Sequence, residues 1–86
     1  MRPYVETVTD NVSTRIFSAD TDEMELIWHV DAEDRLVEAI EPTDWLFQFD
    51  NELPISIDRP IFIPKETIHR VIKGTGDLKI KVTKYL

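Results

Sequence analysis

The chain has 86 residues, with 17 acidic and 10 basic side chains and no cysteine. A chain of this length forms one domain, and the lack of cysteine excludes disulfides, thiolate nucleophiles and cysteine-based metal sites. The net charge of −7 argues against a nucleic-acid partner, because binding to phosphates requires clustered lysine and arginine. Any metal ion would therefore be bound by histidine and carboxylate groups.

The distribution of apolar residues gives no sign of a membrane partner. No window approaches the roughly 18 consecutive apolar residues of a membrane-spanning helix. Met1 is followed by a polar segment with neither an apolar leader nor a small-residue cleavage site. A soluble, cytoplasmic protein is therefore expected.

The first 24 residues have the weakest pattern, because serine and threonine interrupt the apolar positions. Within them, residues 12–17 predict one strand. We predict that residues 1–24 form an arm or first strand, and that residues 25–86 form the core of a barrel. The arm either pairs with a second copy, which gives a homodimer, or completes the chain's own sheet.

Residues 25–31 alternate between two faces and predict a strand. One face is apolar and consists of Leu26, Trp28 and Val30. The other face carries His29 and Asp31 and is expected to look into a cleft. This segment is the first candidate for chemistry, because the chain contains only two histidines.

The rest of the chain also follows a period of two residues. Short runs rich in β-branched and aromatic residues lie at 35–40, 45–49 and 60–63. The last run alternates Leu78, Ile80 and Val82 with polar residues, which predicts a strand with one wet face at a sheet edge or outer wall. Turns are predicted at 41–44 and 50–52, and a tight hairpin connection at 74–77. About seven short strands indicate an all-β sandwich or barrel.

Two groups of residues have the spacing of a known pair of motifs. In the first, His29-Val30-Asp31 precedes Arg35 and then Pro42; the second comprises Asp58, Pro64, Glu66, His69 and Lys73. This spacing resembles the two motifs of the cupin family, in which His-x-His precedes a glutamate, and Pro-x-Gly precedes a histidine. His29, Pro64 and His69 match the family pattern, whereas the motif glycines, glutamate and asparagine are replaced.

The resemblance implies a small cupin-type double-stranded β-helix, a jelly-roll barrel. It also implies a metal shell at the positions of His29, Asp31, Arg35 and His69. Arg35 stands where the family has a glutamate ligand, and a guanidinium group cannot coordinate a cation. His29 and Asp31 lie about 6.5–7 Å apart along one strand face, so they can converge on one ion with His69. Such a set of ligands suits iron, manganese, nickel or zinc.

Alternatives to a metal site remain open at this stage. Arg35 can pair with Asp31 in a metal-free polar network, or bind the carboxylate of a small anionic ligand. Gln48 is a candidate hydrogen-bond partner in this pocket, and Thr67 is expected to share the face of His69. We therefore predict His29, Asp31 and His69 as metal ligands, and Arg35, Gln48 and Thr67 as ligand-binding residues. No catalytic residue is assigned. The predicted function is a metal-dependent small-molecule site, or a non-catalytic binding or assembly module.

Overall fold

A computed structural model describes residues 3–86, which form eight strands and one short 3₁₀ helix at Glu23–Glu25. The strands are β1 (Tyr4–Thr9), β2 (Val12–Phe17), β3 (Asp34–Ala39), β4 (Leu46–Phe49), β5 (Ile55–Ser56), β6 (Ile61–Ile63), β7 (His69–Ile72) and β8 (Leu78–Tyr85). No helix in this part of the chain has the length and apolar character needed to cross a bilayer.

The strands form two antiparallel sheets. The larger sheet has the order β1-β2-β8-β3-β6, and the smaller has the order β5-β4-β7. After β3 the chain passes to the smaller sheet, returns for β6, crosses again for β7 and ends in the larger sheet with β8. This arrangement confirms the all-β jelly-roll fold predicted from the alternating pattern.

The core lies between the two sheets and is built from their inward apolar residues. Trp45 is fully buried before β4, and its ring centroid lies 5.7 Å from that of Phe17 on the larger sheet. Leu78, Ile80 and Val82 all face the core, as the alternation in β8 predicts. Burial of each such side chain contributes about 1.5–3 kcal/mol to folding, so these contacts hold the sheets together.

The position of β8 differs from one of the two predicted placements. The strand pairs with β2 on one side and with β3 on the other, so it is central and not at an edge. Its wet face is nevertheless on the outside, where Lys81 pairs with Glu38 of β3 at 3.4 Å. A central strand can alternate in this way because an antiparallel sheet needs only one buried face.

The predicted strand over residues 25–31 is wrong. The 3₁₀ helix occupies its start, because the Asp22 side chain accepts a hydrogen bond of 3.0 Å from the Met24 backbone N–H and caps the turn. Beyond the helix, the segment joins a sheet only through one isolated bridge between His29 and His69. Residues 26–31 are named the bridge segment after this contact.

The predicted hairpin at residues 74–77 is also wrong, because this connection carries the chain from β7 to β8 in the other sheet. Its conformation is fixed from outside: the Asp44 carboxylate accepts hydrogen bonds from the Thr75 backbone N–H at 2.9 Å and from its hydroxyl at 2.6 Å. Gly74 packs so closely that a Cβ atom there would lie 2.7 Å from the Trp45 backbone nitrogen. Glycine is therefore needed at this position because the two loops approach each other closely, and not because the chain makes a hairpin turn.

The N-terminal strands complete the chain's own sheet. β1 pairs with β2 over six residue pairs, and β2 pairs with β8 over six more. β1 forms one edge of the larger sheet. Residues 1 and 2 of the predicted arm lie outside the described residues, and both the division after residue 24 and the homodimer stay predictions.

Candidate metal-binding site

A cavity of about 440 Å³ lies between the sheets, and its walls combine apolar and charged side chains. The apolar part is lined mainly by Phe17, Leu26, Val37, Phe47, Ile63, Val71, Ile80 and Val82. The polar part includes Glu6, Arg15, Glu25, His29, Asp31, Arg35, His69 and Lys84. The volume is in the range of small-molecule sites, which are concave and largely apolar with a few placed polar groups.

The structure brings together the three residues predicted as metal ligands. One ligand atom from each of His29, Asp31 and His69 lies within 4.8 Å of the others. His69 begins β7 and is 3% exposed, with its ring stacked on Phe47 at a centroid distance of 5.5 Å. His29 faces it from the bridge segment through two backbone hydrogen bonds of 3.0 Å each.

The local backbone fixes which nitrogen each imidazole presents to the cluster. His29 Nδ1 lies 3.1 Å from the Ile27 carbonyl oxygen, and His69 Nδ1 lies 2.8 Å from the Thr67 carbonyl oxygen. A carbonyl oxygen can only accept a hydrogen bond, so Nδ1 carries the proton in each neutral ring. The Nε2 lone pair then remains available for a metal ion, which is the arrangement common among metal-binding histidines.

Asp31 offers one free carboxylate oxygen to the same cluster. Arg35 Nη1 lies 3.2 Å from Asp31 Oδ1. Asp31 Oδ2 lies 3.2 Å from His69 Nε2, yet this buried oxygen makes no hydrogen bond of good geometry with any described residue. Two lone-pair atoms at this distance are stable when a cation, either a proton or a metal ion, satisfies both of them.

Burial and charge shift the acid–base behaviour of the cluster. Partial burial of the His29 ring lowers its pKa below 6.5, and the nearby His69 adds to this effect. Burial alone would raise the pKa of Asp31, but a hydrogen bond donated by a proton on His69 Nε2 and the nearby Arg35 guanidinium outweigh it and hold that pKa below its ordinary value. Both shifts favour the forms that bind metal, a neutral imidazole and an ionised carboxylate.

Arg35 is held mainly by acidic side chains of the chain itself. Its Nη2 and Nε donate to Glu33 Oε1 at 2.7 and 3.1 Å, in addition to the contact with Asp31. Lys84 Nζ also approaches Glu33, at 3.9 Å. Arg35 therefore lies close to the candidate metal ligands, but its positive charge is offset by two carboxylates.

The other two predicted ligand-binding residues do not line the cavity. Gln48 lies on the opposite face of β4, where its Oε1 accepts hydrogen bonds from Arg70 at 2.8 and 3.0 Å and its Nε2 donates to the Glu52 carbonyl. Thr67 contributes its backbone carbonyl to His69 and not its side chain. Arg70 also stacks over the Trp28 ring at 4.4 Å, so it points away from the cluster.

Sequence reasoning missed Arg15 as a cavity residue. It lies in β2 opposite Glu6 of β1, and its Nε donates to Glu6 Oε2 at 2.7 Å. The signal was available: in the predicted strand over residues 12–17, Arg15 shares a face with Ser13 and Phe17, which are both buried.

The cluster fits a divalent metal ion by the chemistry of its donors and by the spacing of one donor pair. Ligand atoms that share one ion at about 2.0–2.2 Å lie roughly 3.0–3.5 Å from one another. The 3.2 Å between His69 Nε2 and Asp31 Oδ2 falls in this range. Asp31 Oδ2, which has no hydrogen-bond partner among residues 3–86, and the Nε2 atoms of the two imidazoles are the groups that such an ion would satisfy.

Comparison with solved structures places this fold among the cupins. A cupin domain, bp2299 of Bordetella pertussis Tohama I, matches with a TM-score of 0.63 and 17% identity over 100% of this chain and 98% of its own. A chain from the crystal structures of the DMSP lyases RdDddP and RnDddQII matches with a TM-score of 0.73 and 17% identity over 87% of this chain. HppE with cobalt(II), in complex with Tris buffer, matches with a TM-score of 0.70 and 14% identity over 99% of this chain.

These likenesses establish that the chain has the cupin fold, as the motif spacing predicted. The chain spans 37% of the DMSP lyase chain and 55% of the HppE chain. No protein-family model and no curated protein matches the sequence. At such low identities the comparisons define the fold alone, and a shared fold does not fix the chemistry of the cavity.

Proposed function

We propose that this cupin domain binds a divalent metal ion through His29, Asp31 and His69, and takes a small anionic ligand into the adjoining cavity. The observation that carries the proposal is the buried Asp31 Oδ2, which lies 3.2 Å from His69 Nε2 and accepts no hydrogen bond of good geometry from the part of the chain that the structure describes. Both histidines also present Nε2 because their Nδ1 atoms are bound to the backbone. HppE, which shares the fold, has been crystallised with cobalt(II) and with iron(II).

The residues of this chain supply the ligand shell and its orientation. Two imidazoles and one carboxylate suit iron(II), manganese, nickel or zinc. Arg35 binds Asp31 Oδ1, which leaves Oδ2 turned toward the histidines. Glu33 offsets the charge of Arg35, which reduces its repulsion of a cation. A bound divalent ion would supply Lewis acidity toward an oxygen of the ligand.

A second candidate function is a metal-free binding module, which the Arg35–Asp31 ion pair favours. In this case a proton on His69 Nε2, and not a metal ion, would satisfy Asp31 Oδ2. The cavity would still accept a small molecule, but its polar end would meet a hydrogen-bonded His/Asp/Arg network. The two functions differ in one measurable property, which is the metal content of the protein.

The test is elemental analysis of untagged protein purified without chelator, followed by calorimetric titration with Mn²⁺. We expect stoichiometric metal in the wild type and none in a folded His29→Ala/His69→Ala variant. Asp31→Asn should weaken Mn²⁺ binding by about 10-fold or more, since it removes an anionic ligand.

The matched control is Asp34→Asn. This carboxylate lies outside the cavity lining and accepts a hydrogen bond from the Lys65 backbone N–H at 2.7 Å. Its neutralisation should leave the Mn²⁺ affinity unchanged. A folded wild type that takes up none of iron, manganese, nickel or zinc would overturn the metal site and support the metal-free module.

A further inference from the structure

We infer that Arg15 is a second anchor in the cavity, and that it binds an oxyanion at the end of the ligand remote from the histidine cluster. This inference rests on the proposed function and narrows its ligand to one chemical class. That class is a short apolar chain with a metal-binding polar group at one end and a carboxylate or similar oxyanion at the other.

Arg15 is largely removed from solvent and held in one orientation. Its side chain is 12% exposed. The guanidinium carbon lies 4.6 Å from the centre of the Tyr4 ring, and Nε donates to Glu6 at 2.7 Å. A guanidinium group fixed by stacking and by one ion pair loses little further conformational freedom when it binds a ligand.

The unused part of the Arg15 guanidinium is its outer edge. Among residues 3–86, the only hydrogen bond from this side chain comes from Nε, so Nη1 and Nη2 have no protein acceptor. Arg35 differs, because its Nε and Nη2 are bound to Glu33 and its Nη1 contacts Asp31. Two parallel N–H groups on an arginine edge match the two oxygens of a carboxylate or phosphate. Arg15 is thus the arginine of the cavity with donors to spare for an anion.

The register of the larger sheet separates the two ends of the cavity. Arg15 faces Ile80 across β2 and β8, whereas Arg35 faces Lys84 across β3 and β8. Four residues along β8 and two strand spacings place the Cα atoms of the two arginines roughly 16 Å apart. Because both side chains extend into the cavity, the ligand spans a shorter distance.

The wall between the two ends is apolar, because Val82 and its cross-strand partner Val37 line the cavity between Ile80, which is opposite Arg15, and Lys84, which is opposite Arg35. Each methylene group of a ligand that is buried against this wall contributes about 0.8 kcal/mol to binding, whereas an unpaired polar group buried there weakens binding. The cavity therefore favours an uncharged linker between two polar ends.

The experiment titrates Mn²⁺-loaded protein by calorimetry with linear dicarboxylates from succinate to suberate and with the monocarboxylate of each length. In the wild type we expect one diacid to bind about 10-fold or more tightly than its monoacid. Arg15→Met should abolish this preference and leave the Mn²⁺ affinity unchanged. Lys84→Met, which removes another positive charge from the same cavity, should retain the preference.

Three results would overturn the inference: no diacid preference in the wild type, an unchanged preference in Arg15→Met, or an equal loss in Lys84→Met. Circular dichroism checks the fold of each variant. If Arg15→Met fails to fold, Arg15→Met/Glu6→Gln removes both charges of the ion pair and takes its place.

The same titration without metal separates this inference from the proposed function. If the wild type binds no Mn²⁺ but still prefers a diacid in a manner that requires Arg15, the metal site fails and the anion site stands. If the wild type binds Mn²⁺ but shows no diacid preference, the metal site stands and the role of Arg15 is refuted.

Discussion

The two histidines of the candidate site are held by very different parts of the molecule. His69 begins β7, is 3% exposed, and belongs to a strand that pairs with β4 over four residue pairs. His29 is exposed and lies in the bridge segment, which has a single bridge to the sheet. The wall that carries His69 is thus part of the core, whereas the wall that carries His29 is attached to the sheet at one bridge. We expect the wall that carries His29 to open first.

Apart from Leu26, which is buried in the core, and the ion pair between Asp31 and Arg35, the bridge segment is attached by contacts that are individually weak. Besides the bridge itself, the Glu66 backbone N–H donates to the Asp31 carbonyl at 2.7 Å, and Arg70 stacks over Trp28 at 4.4 Å. A hydrogen bond contributes about 0.5–1.5 kcal/mol and an exposed cation–π contact about 0.5–1 kcal/mol. This wall is therefore the adjustable part of the site.

The largest expected effect comes from the core behind His69. Phe47→Ala removes a ring that is 1% exposed and that stacks on His69, so it should lower the free energy of unfolding by about 3–5 kcal/mol. Urea unfolding monitored by circular dichroism measures this loss. The matched control is Phe62→Ala on the outer surface, which should cost less than about 1 kcal/mol. Equal losses in the two variants would contradict the assignment of Phe47 to the core.

A direct comparison of the two walls comes next. In protein treated with chelator, His69→Ala should lower the free energy of unfolding by about 2–3 kcal/mol, and His29→Ala by less than about 1 kcal/mol, because only the first leaves a buried cavity. Both variants should lose Mn²⁺ affinity to a similar extent, since each removes one imidazole ligand. Urea unfolding and calorimetry measure the two properties, and a His29→Ala variant as unstable as His69→Ala would refute the difference between the walls.

A smaller effect is expected at the anchor of the bridge segment. Trp28→Leu removes the contact with Arg70 but keeps an apolar side chain, so it should cost about 0.5–1 kcal/mol. Amide hydrogen exchange should become faster in residues 26–31 and remain unchanged in β7. Equal acceleration in β7 would mean that the two walls open together.

The smallest effect concerns Asp44, which fixes the connection that follows β7. Hydrogen bonds from the Thr75 hydroxyl and backbone N–H hold the pKa of Asp44 below its ordinary value of 3.8. A carboxylate with a lowered pKa in the folded state contributes stability above the unfolded value, and loses it as the pH falls through the folded value. The stability difference between wild type and Asp44→Asn should therefore shrink as the pH falls below 3.8. Urea unfolding over this pH range measures it, and a constant difference would contradict the role of these hydrogen bonds.

The sequence predicts best the strand in which apolar and polar residues alternate without interruption. β8 was predicted because apolar and polar residues alternate strictly from Leu78 to Thr83, which is a property of strands with one buried face. Residues 25–31 alternate equally well, but too little of the sheet lies beside them for a strand to form. The connection at residues 74–77 contains turn residues, yet local composition does not reveal that the next strand belongs to the other sheet.

The residues of the site also divide into those that the sequence places correctly and those that it does not. Motif spacing was sufficient to bring His29, Asp31 and His69 together, because the fold fixes those positions. Gln48 was misplaced although the flanking phenylalanines already put it on the opposite strand face. Thr67 precedes the start of β7, so strand alternation from His69 does not extend to it.

The two tryptophans divide between the two parts of the molecule. Trp45 is fully buried in the core, whereas Trp28 is 40% exposed in the bridge segment, next to His29. Indole fluorescence shifts to longer wavelength with exposure, so each ring is an intrinsic optical probe of its own region. A Trp45-only protein, Trp28→Phe, would follow unfolding of the barrel without contribution from the site. In the unmodified chain, acrylamide should quench mainly the Trp28 emission. If acrylamide quenches this emission less in the presence of Mn²⁺ than in its absence, the difference would report closure of the bridge segment without any label.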